Sequence, residues 1–148
     1  MTIKCFMHLC ILFICSVEDW KKKTIALWKI CFYGFAAAGI YIGELLFQSS
    51  NLYESLLSAA AGAIPGIILF LLGKASDEAI GYGDCWIVLI LGISMGFWNV
   101  LGILSTAFLG IFTWAVCVFL KKKKSRNKQI PFIPFLTIGM AGICIWNM

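Results

Sequence analysis

The chain has 148 residues, of which 61% are hydrophobic and only 13% are charged. A water-soluble domain of this length has too little interior to bury so much apolar surface, so the composition excludes an ordinary soluble fold and indicates a membrane protein. The net charge of +5 comes mostly from two basic runs, Lys21–Lys23 and Lys121–Lys124. Such runs bind nucleic acid or anionic lipid in some proteins, but both adjoin apolar segments here. This favours a topological role in the cytosol and no nucleic-acid partner.

Apolar runs follow one another along the whole chain, and most charges cluster in the short stretches between them. The runs lie at about 3–18, 26–47, 55–73, 84–98, 100–120 and 130–147. Their lengths suit membrane-crossing helices, so the sequence predicts an all-α polytopic membrane protein with about six transmembrane helices. No connector is long enough for a separate soluble domain, so a single domain over 1–148 is expected. The fourth and fifth runs are separated by little room for a turn, which is marked by Gly92, Gly96 and a break near Asn99.

The first run also has features of a signal peptide, because Lys4 precedes an apolar stretch. It lacks an A-x-A cleavage site, and Leu12–Cys15 is a poor lipoprotein site because bulky Ile14 precedes the cysteine. Lys21–Lys23 after the run outweigh Lys4 before it, which favours a retained helix whose carboxyl end faces the cytosol. We therefore expect the amino terminus outside, the lysine clusters inside, and a multi-pass location in the plasma or inner membrane, surrounded by the lipid bilayer.

Seven cysteines are spread through the sequence, nearly all in apolar runs, and none forms a CxxC pair. Zinc sites require closely spaced ligands, so the sequence predicts no metal site. Small packing residues inside helices are the simplest account of these cysteines. Disulfides are not expected.

Two aspartates are expected at the same depth of the membrane. With the topology above, Asp19 ends the first helix and Asp84 begins the fourth, both on the cytosolic side. Two close carboxylates do not both ionise cheaply, so they would share a proton. The ionised one would deprotonate a water, while the protonated one would polarise a carbonyl and later protonate the leaving amine. This chemistry needs neither a metal nor an organic cofactor.

Glycines precede the second aspartate in the sequence. Gly81 and Gly83 would permit a tight and even left-handed turn into the helix, so that a substrate approaches the backbone closely beside Asp84. The simpler interpretation is that Asp84 is an ordinary N-cap after a glycine-rich turn. For Asp19 the simpler interpretation is a solvated charge at the membrane interface.

Three elements in this order resemble the type IV prepilin peptidase family of GxGD-type membrane aspartic proteases. The GYGD sequence at 81–84 matches the family's GxGD motif. Asp19, followed by lysines and Ile25, is similar to the other catalytic aspartate, and the PFIPF sequence at 131–135 is similar to the segment after the last cytosolic loop. The resemblance implies catalytic Asp19 and Asp84, and a prepilin-like membrane protein as substrate. Its basic leader would be cleaved at the cytosolic membrane interface.

The resemblance carries further expectations about the surroundings of the motif. Asp77 and Glu78 precede it, either as a solvated loop or as a site that recognises the basic leader. The first cytosolic loop is short and has no cysteine pairs, which implies a peptidase-only form without methyltransferase activity. Ala26 replaces the family's usual proline after Ile25. After the aspartate the family often has Val-Lys, whereas Cys85–Ile87 contains no lysine. These departures support the alternative of a catalytically silent component of a pilus or secretion apparatus. A small transporter or channel subunit is less favoured, because the predicted spans are nearly bare of polar residues.

Overall fold

The computed structural model of the protein describes residues 2–22, 27–47, 52–75, 81–120 and 132–146. Within these ranges the chain forms six α-helices and no strand, which confirms the predicted all-α class. In chain order the helices are α1 (Thr2–Lys22), α2 (Leu27–Phe47), α3 (Leu52–Ala75), α4 (Tyr82–Met95), α5 (Phe97–Leu120) and α6 (Ile133–Trp146).

Three helices in the described part of the chain have the length and apolar composition needed to cross a membrane. They cover Trp28–Leu46, Leu52–Ala75 and Phe97–Leu120. Helices α4 and α6 are also apolar but have 14 residues each. That is about 21 Å of helix, against roughly 30 Å of hydrocarbon in a bilayer. The chain is therefore a helical membrane protein, and the side on which its termini lie stays a prediction.

The break between α4 and α5 lies at Gly96, and not near Asn99 as the sequence suggested. Gly96 has a φ of 81°, a conformation that is strained for residues with a side chain. A Cβ at this position would also lie 2.8 Å from Oγ of Ser58. Asn99 is inside α5, and its Nδ2 donates a hydrogen bond of 2.9 Å to the carbonyl oxygen of Met95. A single glycine therefore separates the two helices.

The helices group into two compact units. One comprises Met1–Lys23 and Gly102–Met148, and the other comprises Thr24–Leu101. Asp19 belongs to the first unit and Asp84 to the second. The single domain over 1–148 stays a prediction, and so does the meeting of the two aspartates.

In the second unit, α3 and α4 pack at close range because glycines lie at their contact. A Cβ on Gly62 would overlap the backbone of Gly92, and a Cβ on Gly66 would lie 2.6 Å from Cα of Leu89. Small residues four positions apart let helix backbones approach in a membrane, where association depends on packing contacts. This contact anchors α4, the helix that carries Asp84.

Helix α2 completes the second unit by packing against α4. Gly34 of α2 faces the side chain of Ile90, which would lie 3.6 Å from a Cβ at that position. The Tyr41 hydroxyl of α2 donates a hydrogen bond of 2.8 Å to the carbonyl oxygen of Ser55, near the start of α3. Helix α2 is thus held against both α3 and α4 by specific contacts.

In the first unit, α1 packs against α6. The buried residues of α1 recur at intervals of three and four, a spacing that places them on one helix face. We call this set the α1 seam: Cys5, His8, Leu12, Cys15 and Asp19. Helix α6 has a matching buried face that includes Ile133, Leu136 and Met140. The seam therefore runs along most of α1 and ends at Asp19.

Helix α6 also packs against α5 within the first unit. Gly139 is so close to α5 that a Cβ there would lie 2.6 Å from the carbonyl oxygen of Ile103. Near the start of α6, the ring of Phe132 lies 6.1 Å from that of Phe108, measured between centroids. These contacts fix the amino-terminal end of α6, which is the end that approaches Asp19.

Candidate active site

Asp19 lies in the last turn of α1 and is only 7% exposed. The carboxyl end of a helix carries partial negative charge, which by itself opposes a carboxylate at this position. The compensating group comes from α6, whose first residue, Ile133, donates its backbone N–H to Oδ2 of Asp19 over 3.4 Å. Asp19 therefore acts as a cap, supplied by another helix, for the amino terminus of α6.

The sequence at the start of α6 explains why an external cap is needed. Phe132 occupies the N-cap position, and its carbonyl oxygen accepts hydrogen bonds from the N–H groups of Phe135 and Leu136 at 3.1 and 3.2 Å. Phenylalanine has no side-chain acceptor for the free N–H groups of the first turn. Pro134 has no N–H and therefore leaves one donor fewer to satisfy.

Sequence reasoning singled out 131–135 but did not predict its contact with Asp19. The sequence did contain one indication of this contact, because α6 begins without a side chain that could cap it. A start of this kind predicts that an acceptor comes from elsewhere in the protein. A buried carboxylate at the end of another helix is a suitable acceptor, because it gains the favourable end of the helix dipole.

The protonation of Asp19 reflects two opposing influences. Burial raises the pKa of Asp19 above its usual range, because the ionised form loses its hydration. The backbone N–H groups of Ile133 and Phe132 lower this pKa, because they hydrogen-bond to the ionised form. Burial is the larger influence, so Asp19 keeps its proton to a higher pH than a solvated aspartate does.

Asp84 is the third residue of α4, and the N-cap position belongs to Gly81. The N–H groups of Asp84 and Cys85 both donate to the carbonyl oxygen of Gly81, at 3.0 and 3.4 Å. The interpretation of Asp84 as an N-cap is therefore wrong. The suggested left-handed turn is also wrong, because Gly81 has φ −62° and ψ 127°, and Gly83 is inside the helix.

The carboxylate of Asp84 folds back towards Gly81. A Cβ on Gly81 would lie 3.6 Å from Oδ2 of Asp84, which is an ordinary contact distance. Gly81 is exposed and Asp84 is half-buried, so a side chain at position 81 would lie against the carboxylate. The amino-terminal end of α4 also favours the ionised form of a carboxylate in its first turn.

Aromatic packing holds the first turn of α4, a feature that sequence reasoning missed. The Phe70 ring of α3 lies 5.6 Å from the ring of Tyr82 and 6.4 Å from that of Trp86, between centroids. Tyr82 and Trp86 are four residues apart and so share a helix face. Together with the glycine contacts of α3 and α4, this cluster orients the turn that carries Asp84.

Two of the predicted substrate-binding residues, Asp77 and Glu78, lie outside the described residues. Gly81 is the N-cap of α4 and Gly83 is its second residue, and their part in substrate binding stays a prediction. In the described ranges, no three His, Cys, Asp or Glu side chains come together in a way that could hold a metal ion.

These observations define a polytopic helical membrane protein with acidic side chains placed at the ends of helices. The model of the type IV leader peptidase family matches residues 6–120, which is more than half of the chain and includes Asp19 and 81–84. The chain therefore belongs to the type IV leader peptidase family. The segment 131–135 lies beyond the matched range, and its hydrogen bond to Asp19 connects it with the candidate site. No curated protein and no solved structure gave a match to the chain.

Proposed function

We propose that the protein is an aspartic endopeptidase that removes the short basic leader from type IV prepilin-like membrane proteins. Membership of the leader peptidase family supports the peptidase class. The observation that carries the aspartic mechanism is the environment of Asp19, a buried carboxyl group with a raised pKa at the end of α6. Burial of a carboxyl group is costly, and such groups are concentrated at functional sites.

The two environments suggest different roles for the two aspartates. Asp84 is the base: its helix N-terminus favours the ionised form, which takes a proton from the attacking water. Asp19 is the acid: its raised pKa favours the protonated form, which polarises the scissile carbonyl and then protonates the leaving amine. One proton thus passes to Asp84 and one leaves Asp19, so the pair still holds a single proton after cleavage. The mechanism requires both groups at one peptide bond.

The proposed substrate is a membrane protein whose basic leader precedes an apolar helix. The helix would lie in the bilayer beside the enzyme, with the scissile bond at the cytosolic interface of the plasma or inner membrane. Lys21–Lys23 and Lys121–Lys124 support this orientation through the positive-inside rule. Gly81 and Gly83 would admit the extended backbone of the substrate, and Asp77 and Glu78 would attract its positive charges.

The experiment is co-expression with a prepilin-like protein, with leader removal read as a shift on a gel. Asp19→Asn and Asp84→Asn should each abolish cleavage while membrane insertion and abundance stay close to normal. Glu54→Gln is a matched control, because Glu54 is an exposed carboxylate in the first turn of α3. Cleavage at the wild-type rate by either aspartate variant would rule out the proposed dyad.

A catalytically silent assembly component is the second candidate, supported by Ala26 in place of the usual proline and by the absence of a lysine in Cys85–Ile87. The first turn of α4 therefore contains no basic residue beside Asp84. Failure of the correctly inserted, unmodified protein to cleave two different prepilin-like proteins would favour this candidate. Cleavage of either one would exclude it.

A further inference from the structure

Three aromatic side chains form a half-exposed cluster where α3 meets the first turn of α4. We call it the aromatic patch: Phe70, Tyr82 and Trp86, with exposed fractions of 37%, 38% and 46%. The Phe70 ring contacts the other two rings, so all three combine ring packing with a large open surface. Tyr82 and Trp86 also carry a hydroxyl and an indole N–H, which suit them to a boundary between an apolar and a polar medium.

The charges of α3 mark where the two surfaces of the bilayer cross this helix. Glu54 lies in its first turn and Lys74 in its last turn, and the residues between them carry no charge. Twenty positions of helix are about 30 Å long, which matches the thickness of the hydrocarbon layer. A span of this length places both charges at the polar boundaries. Lys74 therefore marks the boundary at the end of α3.

The aromatic patch lies close to the boundary that Lys74 marks. Gly62 lies against Gly92. Phe70 lies later in α3 and contacts Tyr82 at the start of α4, so the two helices run antiparallel. Phe70 precedes Lys74 by four residues, which is about 6 Å of helix. The patch is therefore about one helical turn beneath the polar boundary, in the layer where tyrosine and tryptophan are enriched in membrane proteins.

Asp84 lies on the opposite side of α4 from the aromatic patch. It follows Tyr82 by two residues, a rotation of about 200° around the helix. Val88 and Leu91 share the face of Asp84 at spacings of four and three, and both are fully buried. Tyr82 thus faces outwards, whereas the carboxylate lies on the face that packs within the protein. Anchoring of the outward face would set the depth and rotation of the inward carboxylate.

We propose that the aromatic patch binds the headgroup layer of a phospholipid bilayer and thereby holds Asp84 at the depth of the scissile bond. The Tyr82 hydroxyl and the Trp86 indole N–H donate hydrogen bonds to lipid ester and phosphate oxygens, and the rings pack on the upper acyl chains. Both are positioning residues, because they act through α4. With 14 residues, this helix is too short to be held by reaching both boundaries. Only the consequence for cleavage rests on the proposed function.

The depth of α4 is tested with the full-length protein in vesicles of phosphatidylcholine and phosphatidylglycerol. The variant Gly81→Cys is labelled with a membrane-impermeant maleimide, and peptide mapping separates this site from the native cysteines. Tyr82→Phe combined with Trp86→Phe keeps the rings but removes both hydrogen-bond donors. In this background we expect labelling to slow at least severalfold, because the start of α4 moves deeper. An unchanged rate would overturn the proposal.

The matched control exchanges the two side chains, Tyr82→Trp with Trp86→Tyr, and so keeps two rings and two donors. Labelling in this background should match that of Gly81→Cys alone. Equal slowing in both backgrounds would mean that the native ring packing against Phe70 sets the depth without lipid binding, and would overturn the proposal.

Fluorescence quenching locates the patch without any change at position 81. The emission of Trp86 is obtained as the difference between the unmodified protein and Trp86→Phe. Bromine on acyl carbons near the headgroup should quench it more strongly than bromine near the chain ends. Stronger quenching by the deep bromine, or none by either lipid, would overturn the proposal.

Cleavage of a prepilin-like protein tests the consequence for Asp84. The ratio of the rate in vesicles to the rate in detergent should fall at least severalfold in the double phenylalanine variant, because only a bilayer imposes a fixed depth. An unchanged ratio would overturn the positioning role. If the unmodified protein cleaves in neither medium, the proposed function fails, whereas labelling and quenching still decide whether the patch binds lipid.

Discussion

Asp19 and Ile133 are 114 positions apart in the chain, yet Oδ2 of Asp19 accepts a hydrogen bond from the backbone N–H of Ile133. The contact joins the carboxyl end of α1 to the amino end of α6. The positive end of the α6 dipole thus faces the carboxyl group, and it offsets the unfavourable end of α1. Asp19 therefore has a structural role as a cap in addition to the proposed role as an acid, and the two roles can be separated by mutation.

We expect Asp19→Asn and Asp19→Ala to be equally inactive but to differ in stability. Asparagine keeps an oxygen that accepts the N–H of Ile133, and it is uncharged like the protonated form of Asp19. Alanine leaves this N–H without its partner, which costs about 1–3 kcal/mol. The midpoint of thermal unfolding in detergent should therefore be near the wild-type value for asparagine and clearly lower for alanine. Equal midpoints for the two variants would show that the cap contributes little.

The proposed acid role of Asp19 predicts how activity depends on pH when the α6 donor is removed. Ile133→Pro removes the N–H, and proline is well tolerated at the first position of a helix. Loss of this donor should raise the pKa of Asp19 further. Because the acid must be protonated, the alkaline limb of the pH–rate profile should move to higher pH.

The matched control for this prediction is Ile133→Ala, which shortens the same buried side chain but keeps the N–H. Its alkaline limb should lie at lower pH than that of Ile133→Pro. Movement of the acidic limb instead would mean that Asp19 is the base and that the roles of Asp19 and Asp84 are exchanged.

We expect Gly81→Ala to impair substrate access while leaving folding unchanged. The backbone of Gly81 has ordinary extended angles, and an added Cβ would make only an ordinary contact with the Asp84 carboxylate. We therefore expect normal membrane insertion and a free energy of unfolding within about 0.5 kcal/mol of the wild-type value. Cleavage should fall at least severalfold, because the methyl group would lie between the substrate and the carboxylate of Asp84 on the side of residue 81. Gly39→Ala, at a position with open space around it, serves as the control. Wild-type cleavage by Gly81→Ala would exclude close substrate approach at this residue.

Gly62→Ala should destabilise the α3–α4 pair. The added Cβ would overlap the backbone of Gly92, which cannot move aside as a flexible side chain could. Overpacking of this kind costs about 1–3 kcal/mol. Thermal unfolding in detergent should show a lower midpoint than for the wild type and for Gly39→Ala. An unchanged midpoint would indicate that α3 and α4 tolerate a wider separation than the structure has.

The sequence predicted the helical class and the number of helices, because each helix is encoded by a local run of apolar residues. It misplaced the break before α5, because the composition around Asn99 does not reveal the backbone angle of Gly96. The hydrogen bond between Asp19 and Ile133 was also missed, since it depends on long-range packing. The close approach at Gly62 and Gly92 was predictable in principle, because each glycine begins a GxxxG spacing.

The close contact between α3 and α4 also bears on how the protein enters the membrane. Helix α4 alone is about 21 Å long, too short to cross the hydrocarbon layer unaided, whereas α3 has 24 apolar-rich residues. Only five residues, 76–80, separate α3 from Gly81, so the two helices emerge from the ribosome almost together. We expect them to partition into the bilayer as a preassembled hairpin, in which α3 supplies the hydrophobicity that α4 lacks. Helix α4, which begins with the GxGD motif, would then depend on α3 for insertion. A substitution that prevents α3 from inserting would leave Asp84 at the wrong depth of the bilayer during biosynthesis.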